Sequence, residues 1–498
     1  MSPSKRRLIA VALLLALPFA IEGIFRGVLF VTQRACAPEE PVFSLIGVGE
    51  STMNGFPFEP HISIPVVVAR MFDGKIGDRR IEVRNLAGDG HPMYMQYSIL
   101  AQAVAYRDAQ VPGAAIIYVG HNEGDLRQKT GAPSWRPGLF ESLARRSLAA
   151  RALQLQLVTW RVIRRPRDIV AYEYYLRRTI ETAREAGLLP ILSTVAGNIS
   201  GVEPNLETSD VRAVEEAMAA IEQQKKRGDC AGIEAGCARE AEVRNALAPL
   251  LCYQAGKCRQ AAGETARADE LYQTALDLDP RTIFGRATGA QNAIVRQLAA
   301  EYDIPLVDAV ALMVRESPSG LLGNDLFGDG QHPNLAGMLV IARGFADAIA
   351  GAFSTTVPRQ SLTAQETMAE LGFTPTLTAR SHVLTASWLI ASAAHHPWPH
   401  DRLSLAETHL RAALEIAPDD FTAWFGIAIA EAARRGFLRQ PEVLEKLGKW
   451  SVFYRPRACV PDEEVVPMIE QFRAMGVDEK VLAAILENRA GACTGDDA

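Results

Sequence analysis

The segment "PVFSLIGVGESTMNG" (residues 41–55) is an apolar run that passes directly into a tight turn flanked by glycines. An apolar run of this length that ends in a glycine-containing turn is typical of a buried strand. Ser51 in the turn has three interpretations: a nucleophile, part of a phosphate-binding loop, or the cap of the next helix. The segment alone leaves all three open, so the rest of the chain has to decide between them.

Short apolar segments alternate with helical patterns from residue 42 to about residue 195. Each apolar segment is interpreted as a buried strand followed by a glycine-containing loop. These segments are "VFSLIGVG" (42–49), "IEVRNLAG" (81–88), "AAIIYVGH" (114–121) and "LLPILSTVAG" (188–197), and a fifth, "IPLVDAVAL" (304–312), follows a long helical interruption. The alternation predicts an α/β fold with a parallel sheet of five strands covered by helices.

Two helical stretches resemble tetratricopeptide (TPR) units, in which two antiparallel helices cross at small residues. The first is "LAPLLCYQAGKCRQAAGETARADELYQTALDLDP" (247–280), and the second is "LSLAETHLRAALEIAPDDFTAWFGIAIAEAARRG" (403–436). A generic amphipathic helical hairpin is the alternative interpretation. Two units are fewer than the roughly three that a repeat array needs for independent stability. We therefore expect them to pack on the α/β core or on each other.

The N-terminus combines the basic stretch "MSPSKRR" with the uncharged run "LIAVALLLALPFAI" (8–21). As a helix, this run spans about 21 Å, which is less than the roughly 30 Å hydrocarbon core of a membrane. The pattern indicates an export signal, and an uncleaved signal anchor is favoured over a cleaved signal because no small-residue cleavage site follows. A buried helix of the fold is the third interpretation. We expect a bacterial envelope protein, held in the inner membrane with the rest of the chain on the periplasmic side.

These features divide the chain into five parts. We predict a transmembrane signal anchor, two parts of one α/β domain that are separated by a helical TPR-like insertion, and a helical TPR-like C-terminal region. In chain order, the predicted parts are residues 1–35, 40–204, 205–285, 286–352 and 353–498.

The charge and the cysteines restrict the function further. A net charge of −6 argues against a general nucleic-acid binder, and the basic run "RVIRRPR" (161–167) is interpreted as a solvated surface segment.

None of the seven cysteines forms a C-x-x-C pair, so we expect no metal site. In an oxidising compartment, four of them allow two disulfides with three connectivities: Cys230, Cys237, Cys252 and Cys258. We expect Cys459–Cys493 as a third disulfide and Cys36 as a free thiol.

Polar residues follow the predicted strands in the segments "GES" (49–51), "NLAGDG" (85–90) and "GHNEG" (120–124), and in the late loop "FGDGQHPN" (327–334). Acyl transfer needs a nucleophilic hydroxyl, an imidazole base and a group that orients the base. Ser51, His332 and Asp329 supply these three. The developing oxyanion needs donors, for which the candidates are the backbone N–H groups of Ser51 and Gly90 and the side-chain amide of Asn122.

Each of these residues has a simpler interpretation: Ser51 and Asn122 as caps, Gly90 as a turn residue, and the Asp329–His332 segment as a surface turn. Their joint order along the chain favours the catalytic interpretation. In this order the chain resembles the SGNH (GDSL-type) hydrolases over about residues 42–200 and 285–352.

The resemblance implies that Ser51 is the nucleophile of the first block, Gly90 and Asn122 are the oxyanion donors of the second and third, and Asp329 and His332 complete the fifth. It also implies a flavodoxin-like three-layer α/β/α fold and esterase or deacylase activity without a metal or another cofactor. Glu50 stands where the commoner family pattern has Asp, and Glu123 replaces the Asp that often follows the asparagine. Both replacements keep the charge.

Three rival interpretations of the same residues are weaker. "GVGEST" lacks the third glycine of a dinucleotide-binding loop, and Glu50 would repel a pyrophosphate. Met53 breaks the G-x-S-x-G pattern of the α/β-hydrolases. His91 and His121 adjoin the oxyanion donors, so they are expected to shape the pocket rather than to act as the base.

The sequence therefore predicts an exported, membrane-anchored serine esterase. The expected substrate is an acylated small molecule or glycan, with carbohydrate O-acetyl groups suggested by family analogy. Acyl transfer to a sugar is one alternative. The other is a TPR-type envelope scaffold with weak or no hydrolase activity, which binds a protein partner through its helices.

Overall fold

The computed structural model describes residues 17, 19–28, 30–31, 40–123, 138–160, 162–163, 168–208, 210–280, 285–440, 443 and 462–488. The described strands form one six-stranded sheet with the order β2-β3-β1-β4-β5-β6. All neighbouring strands are parallel except the β2–β3 pair, which is antiparallel. The strands are β1 (Val42–Gly49), β2 (Lys75–Ile76), β3 (Arg79–Asn85), β4 (Gly113–Tyr118), β5 (Leu189–Ser193) and β6 (Leu306–Val307).

Helices occupy most of the remaining described chain. In the first half they are α1 (Ser51–Asn54), α2 (Ile64–Met71), α3 (Met93–Ala103), α4 (Leu139–Arg146), α5 (Leu148–Thr159), α6 (Ile169–Glu185), α7 (Val211–Lys226), α8 (Cys230–Glu242), α9 (Ala248–Ala261) and α10 (Thr265–Leu278). In the second half they are α11 (Gly289–Glu301), α12 (Ala309–Glu316), α13 (Leu335–Ala352), α14 (Ala364–Glu370), α15 (Pro375–Ala393), α16 (His400–Ile416), α17 (Phe421–Ala433), α18 (Asp462–Ala474) and α19 (Glu479–Asn488).

The α/β prediction agrees with this architecture, but the sheet differs from the predicted five strands in two ways. A sixth strand, β2, arises because the chain reverses at Gly77, whose φ of +60° suits glycine. The strand predicted at residues 304–312 is only two residues long. Its second half forms α12 instead, because the side chain of Asp308 accepts a hydrogen bond from the backbone N–H of Ala311 and caps that helix.

Both faces of the sheet are buried against helices. Phe43 and Leu45 on β1 belong to one hydrophobic cluster, which includes residues of α2 and α13. Ile46 and Val48 belong to another, which includes residues of α3 and α6. Because successive side chains of a strand point to opposite faces, a run that is buried throughout, such as β1, marks a central strand.

Two apolar helical segments bear on the predicted membrane anchor. Among the described residues, only α13 is long and apolar enough to cross a membrane, and most of it is buried in the core. The described residues of the N-terminal segment are helical, and Leu17, Phe19 and Ile24 on it are exposed. Most of the run at residues 8–21 and most of the basic run at residues 161–167 lie outside the described residues.

The predicted insertion contains the four clustered cysteines, which form two nested disulfides. Cys230 pairs with Cys258, and Cys237 pairs with Cys252, so helix α8 is joined to α9 twice. This is one of the three connectivities that the spacing allows. Cys36, Cys459 and Cys493 lie outside the described residues, so their predicted states stay predictions.

A buried polar cluster joins the insertion and the C-terminal helices to the sheet. The Glu203 carboxylate accepts hydrogen bonds from the side-chain Nε and the backbone N–H of Arg402, each at 3.2 Å. Next to this pair, Lys257 of α9 forms an ion pair of 2.7 Å with Asp401 of α16. This cluster adjoins the loop that carries Asp329 and His332, because Glu203 and Arg402 line one pocket together with Gly330 and Gln331.

The disulfide pattern leads to a prediction about stability. We expect peptide mapping of the non-reduced protein to recover Cys230–Cys258 and Cys237–Cys252 as linked peptides. Each crosslink restricts the unfolded chain, so the loss of even one should lower the free energy of unfolding by about 3 kcal/mol. Urea unfolding with and without dithiothreitol, which reduces both crosslinks, should therefore show a loss of at least this size. Another pairing, or an unchanged midpoint after thiol titration confirms reduction, would contradict the prediction.

Candidate active site

Ser51 lies immediately beyond the end of β1, as the first residue of the short helix α1. Glu50 occupies the N-cap position, so Ser51 does not cap this helix. Its hydroxyl oxygen instead lies 2.7 Å from Nε2 of His332, which is 281 residues further along the chain. The helix-cap interpretation of Ser51 is therefore wrong, and the hydroxyl is positioned beside an imidazole.

His332 and Asp329 form the second part of this hydrogen-bonded chain. The other ring nitrogen of His332, Nδ1, lies 2.7 Å from Oδ2 of Asp329, and both residues are buried. An ionised carboxylate only accepts hydrogen bonds, so Nδ1 carries the proton and Nε2 is left to accept from Ser51. The other oxygen, Oδ1, accepts from the backbone N–H groups of Gln331 (2.7 Å) and His332 (2.8 Å). The Asp329 side chain is thus held in place on both oxygens.

Further contacts brace the loop that carries these two residues. Gly328 donates its N–H to the carbonyl of His332 at 2.9 Å, and Asn198, beyond β5, donates to the carbonyl of Asp329 at 3.1 Å. Nε2 of His409, on α16, lies 2.9 Å from the carbonyl oxygen of Gly328. The loop is therefore supported from both the sheet and the C-terminal helices.

Glu50 links the turn after β1 to the turn after β4. Its buried carboxyl group accepts hydrogen bonds from the backbone N–H groups of Gly120 (3.2 Å), His121 (2.9 Å) and Asn122 (2.9 Å). Burial, with a smaller contribution from the Glu123 carboxylate, raises the pKa of Glu50 to about 8, although the three N–H donors oppose this shift. Near neutral pH the group is therefore largely uncharged.

Gly90 and Asn122 lie in the loops after β3 and β4, the two strands that flank β1. Because these strands are parallel, both loops lie at the same edge of the sheet as Ser51. Gly90 has a φ of +69°, which favours glycine, and no neighbouring atom would crowd a Cβ there. Ser51, Gly90 and Asn122 thus lie at one edge of the sheet. Asp329 and His332 lie in the loop whose imidazole is hydrogen-bonded to Ser51.

His91 and His121 contact other parts of the site. Nδ1 of His91 lies 3.3 Å from the amide nitrogen of Gln96, whose amide oxygen accepts from the backbone N–H of Gly49 at 3.2 Å. Nδ1 of His121 accepts from the backbone N–H of Ala287 at 3.2 Å. These contacts agree with a role in shaping the site. Among the described residues, no group of three or more His, Cys, Asp or Glu is arranged to hold a metal ion.

Two aromatic residues beside His332 were not predicted from the sequence. The Phe56 ring lies 4.5 Å from the imidazole, and the Trp388 ring lies 5.7 Å from it, measured between ring centroids. Trp388 belongs to α15, in the part of the chain predicted to be a separate helical region. No motif or periodicity distinguishes these residues in the sequence, because only the folded chain brings them to the imidazole.

The chain is similar to a solved structure described as the crystal structure of a member of the lipolytic protein G-D-S-L family from Veillonella parvula DSM 2008. The two are 12% identical, the similarity covers 61% of this chain and 97% of that one, and the TM-score is 0.30. No family model matches the chain, and no curated protein matches it. This similarity is too low to indicate a function, which is therefore inferred from the geometry of the site.

The raised pKa of Glu50 leads to a prediction about pH and stability. A pKa that rises from 4.5 to about 8 on folding means that the folded protein binds this proton more tightly. The resulting stabilisation is complete below pH 4.5 and is lost as the pH rises towards 8, and it amounts to roughly 5 kcal/mol at most. Glu50→Gln mimics the uncharged form and lacks this dependence.

Urea unfolding at pH 5, 6.5 and 8 tests this prediction. We expect the free energy of unfolding of the wild type to fall, relative to that of Glu50→Gln, as the pH rises. The exposed Glu185 provides the matched control, because Glu185→Gln should follow the wild type at every pH. Parallel pH profiles for the wild type and Glu50→Gln would show that the carboxyl group does not hold a proton in the folded state.

Proposed function

We propose that the protein is a serine ester hydrolase of the SGNH type. The observation that carries this proposal is the continuous hydrogen-bonded chain from Ser51 through His332 to Asp329, with both links at 2.7 Å. Nucleophile, base and orienting carboxylate in this geometry are the requirements of acyl transfer through a serine. The burial of His332 and Asp329 supports the same role, because their mutual attraction is stronger away from water.

In the proposed first half-reaction, the hydroxyl oxygen of Ser51 attacks the ester carbonyl carbon while Nε2 of His332 takes the hydroxyl proton. Asp329 stabilises the imidazolium that forms. The oxyanion of the tetrahedral intermediate accepts hydrogen bonds from the backbone N–H groups of Ser51 and Gly90 and from the Asn122 side chain. His332 then protonates the leaving alcohol, and the acyl group stays on Ser51.

In the second half-reaction, a water molecule gives a proton to His332 and attacks the acyl-enzyme. The collapse of the second tetrahedral intermediate releases the carboxylic acid and returns the proton to Ser51. An alcohol that replaced the water would give acyl transfer by the same steps. We propose hydrolysis as the main reaction and O-acetyl groups on a carbohydrate as the substrate.

The strand order of the sheet supports a flavodoxin-like fold. When the five parallel strands are numbered among themselves, their order is 2-1-3-4-5, which is the flavodoxin-like order. In this order the nucleophile follows the first strand, and the two oxyanion donors follow its neighbours on either side. We therefore propose a flavodoxin-like three-layer hydrolase core to which the helical regions are added.

We also propose that the N-terminal helix anchors the enzyme in the inner membrane with the site on the periplasmic side. The exposed apolar residues Leu17, Phe19 and Ile24 support this proposal. Glu22 accepts hydrogen bonds from the hydroxyl of Ser147 (2.6 Å) and the backbone N–H of Ala149 (3.0 Å), at the start of α5. This cap joins the anchor to the enzyme just beyond the uncharged run.

The TPR assignment and a protein partner for the helices remain predictions. At both predicted units the described chain forms pairs of consecutive helices, α9–α10 and α16–α17. His409 on α16 contacts the loop that carries the catalytic residues. This contact supports a role for the C-terminal helices inside the enzyme, in addition to any partner that they bind on their outer surface.

The catalytic proposal predicts the effect of two substitutions on p-nitrophenyl acetate hydrolysis. Ser51→Ala should abolish turnover, and Asp329→Asn should lower kcat by about four orders of magnitude because the wrong tautomer of His332 is stabilised. The exposed Ser404 provides the control, and Ser404→Ala should retain the activity of the wild type. A Ser51→Ala variant as active as the wild type would exclude the serine mechanism.

The membrane proposal predicts how the protein fractionates. The full chain should stay with membranes after washing with high salt or carbonate and be released by detergent, because about 0.8 kcal/mol is lost for every buried CH₂ group exposed to water. A chain without residues 1–35 should appear in the soluble fraction. Release of the full chain by carbonate alone would contradict the anchor.

A further inference from the structure

One wall of the candidate active site comes from the C-terminal region. Trp388 on α15 lies 5.7 Å from the imidazole of His332 and 6.0 Å from the ring of Phe56, which follows the Ser51 turn. Phe56 lies 4.5 Å from the same imidazole. The three rings therefore form one contiguous group, to which Phe56 and Trp388 contribute from distant parts of the chain. Both aromatic residues are only half-buried, so part of each ring is exposed.

Polar and charged residues lie near Phe56 and Trp388 in the chain. The exposed Arg380 precedes Trp388 on α15 by eight residues, or about two turns, so both lie on one face of this helix. Burial raises the pKa of the partly buried Glu59 carboxyl, which follows Phe56 by three residues, and the positive charge of Arg380 lowers that pKa by a smaller amount. The amide nitrogen of Asn54 donates to the exposed Asp89 carboxylate at 3.3 Å. The two segments that supply the aromatic rings thus also supply polar side chains, which are the candidates for a polar rim.

This combination suits a ring that is apolar on one face and polar around its edge. The C–H groups on a face of a sugar ring carry partial positive charge, which the negative face of an aromatic ring attracts. The hydroxyl groups at the edge of the sugar need hydrogen-bonding partners, which the polar rim supplies. A long acyl chain fits such a rim poorly, because the polar side chains of the rim would lose water without gaining hydrogen bonds.

The position next to His332 identifies which part of an ester binds there. His332 protonates the leaving alcohol in the proposed reaction, so the alcohol portion has to lie beside the imidazole. Resting on that proposed function, we infer that Phe56 and Trp388 form the subsite for the alcohol portion, and that this portion is a polyhydroxylated ring. The C-terminal helix α15 is therefore a specificity-determining element of the active site.

Two acetate esters test this inference with the full-length chain in detergent. Glucose pentaacetate carries its esters on a ring, whereas glycerol triacetate carries them on an acyclic alcohol. We expect kcat/KM to be higher for the sugar ester. In Trp388→Ala and in Phe56→Ala, the ratio of the two kcat/KM values should fall by about fivefold or more. Trp388→Phe keeps an aromatic face and should recover most of the ratio.

Trp160 provides the matched control, because its side chain is exposed and lies on another part of the surface. Trp160→Ala should keep the ratio of the wild type. Thermal unfolding of each variant shows whether it is folded, and Phe56→Ala carries the test if Trp388→Ala is not.

The outcomes separate this inference from the proposed function. A wild type that hydrolyses both esters, with a ratio that neither Trp388→Ala nor Phe56→Ala changes, would overturn the subsite and leave the esterase standing. A wild type that prefers the acyclic ester would also overturn the subsite alone. A wild type no more active than Ser51→Ala on either ester would overturn the proposed function, and the subsite with it.

Discussion

Three backbone N–H groups converge on the buried carboxyl group of Glu50, and the geometry of the candidate site depends on this convergence. Glu50 ends the turn after β1, whereas the donors are consecutive residues after β4. A buried N–H group without an acceptor costs about 1–3 kcal/mol, so the two turns are held together strongly. Since Ser51 is the next residue after Glu50 and Asn122 is the last donor, one side chain positions Ser51 relative to Asn122.

The imidazole of His332 depends on a different kind of support. Its own loop supplies Asp329, but the loop is braced by Asn198 from the sheet and by His409 from a C-terminal helix. Phe56 and Trp388 pack beside the ring. Local sequence thus supplies the chemistry of the base, and long-range packing supplies its position and the surface that a substrate meets.

The difference between local and long-range determinants explains which features could be predicted. The strand β1 was predicted to the residue, because it is buried on both faces and ends in a glycine-containing turn. Ser51, Asp329 and His332 could be predicted as candidates because their residue types, spacing and order together match one chemistry, and the fold brings their side chains into hydrogen-bonding distance. The short strand β2 could not be predicted, since a two-residue strand has no periodicity. Strand β6 was predicted within residues 304–312, but its end was not, because the cap at Asp308 is visible only in the fold.

The aromatic and polar contacts of the helical regions left no pattern in the sequence at all. Trp388 lies on a largely apolar helix, so the sequence does not distinguish a tryptophan beside His332 from one buried in a helical core. Glu203 and Arg402 are far apart in the chain. The spacing of the cysteines limited the disulfides to three connectivities, and only the placement of α8 against α9 selects one. Pairings between distant segments require the fold.

The buried pair of Glu203 and Arg402 shows why the C-terminal helices are better regarded as part of the unit that holds the candidate site than as an appended module. Both side chains are buried, and each neutralises the other. Replacing Arg402 by a neutral residue would leave the Glu203 carboxylate buried without its partner, which costs about 3–5 kcal/mol. Separating the helices from the core would also remove Trp388 and His409 from the neighbourhood of His332. We therefore infer that the same contacts that attach the helices to the core also determine the shape of the active site.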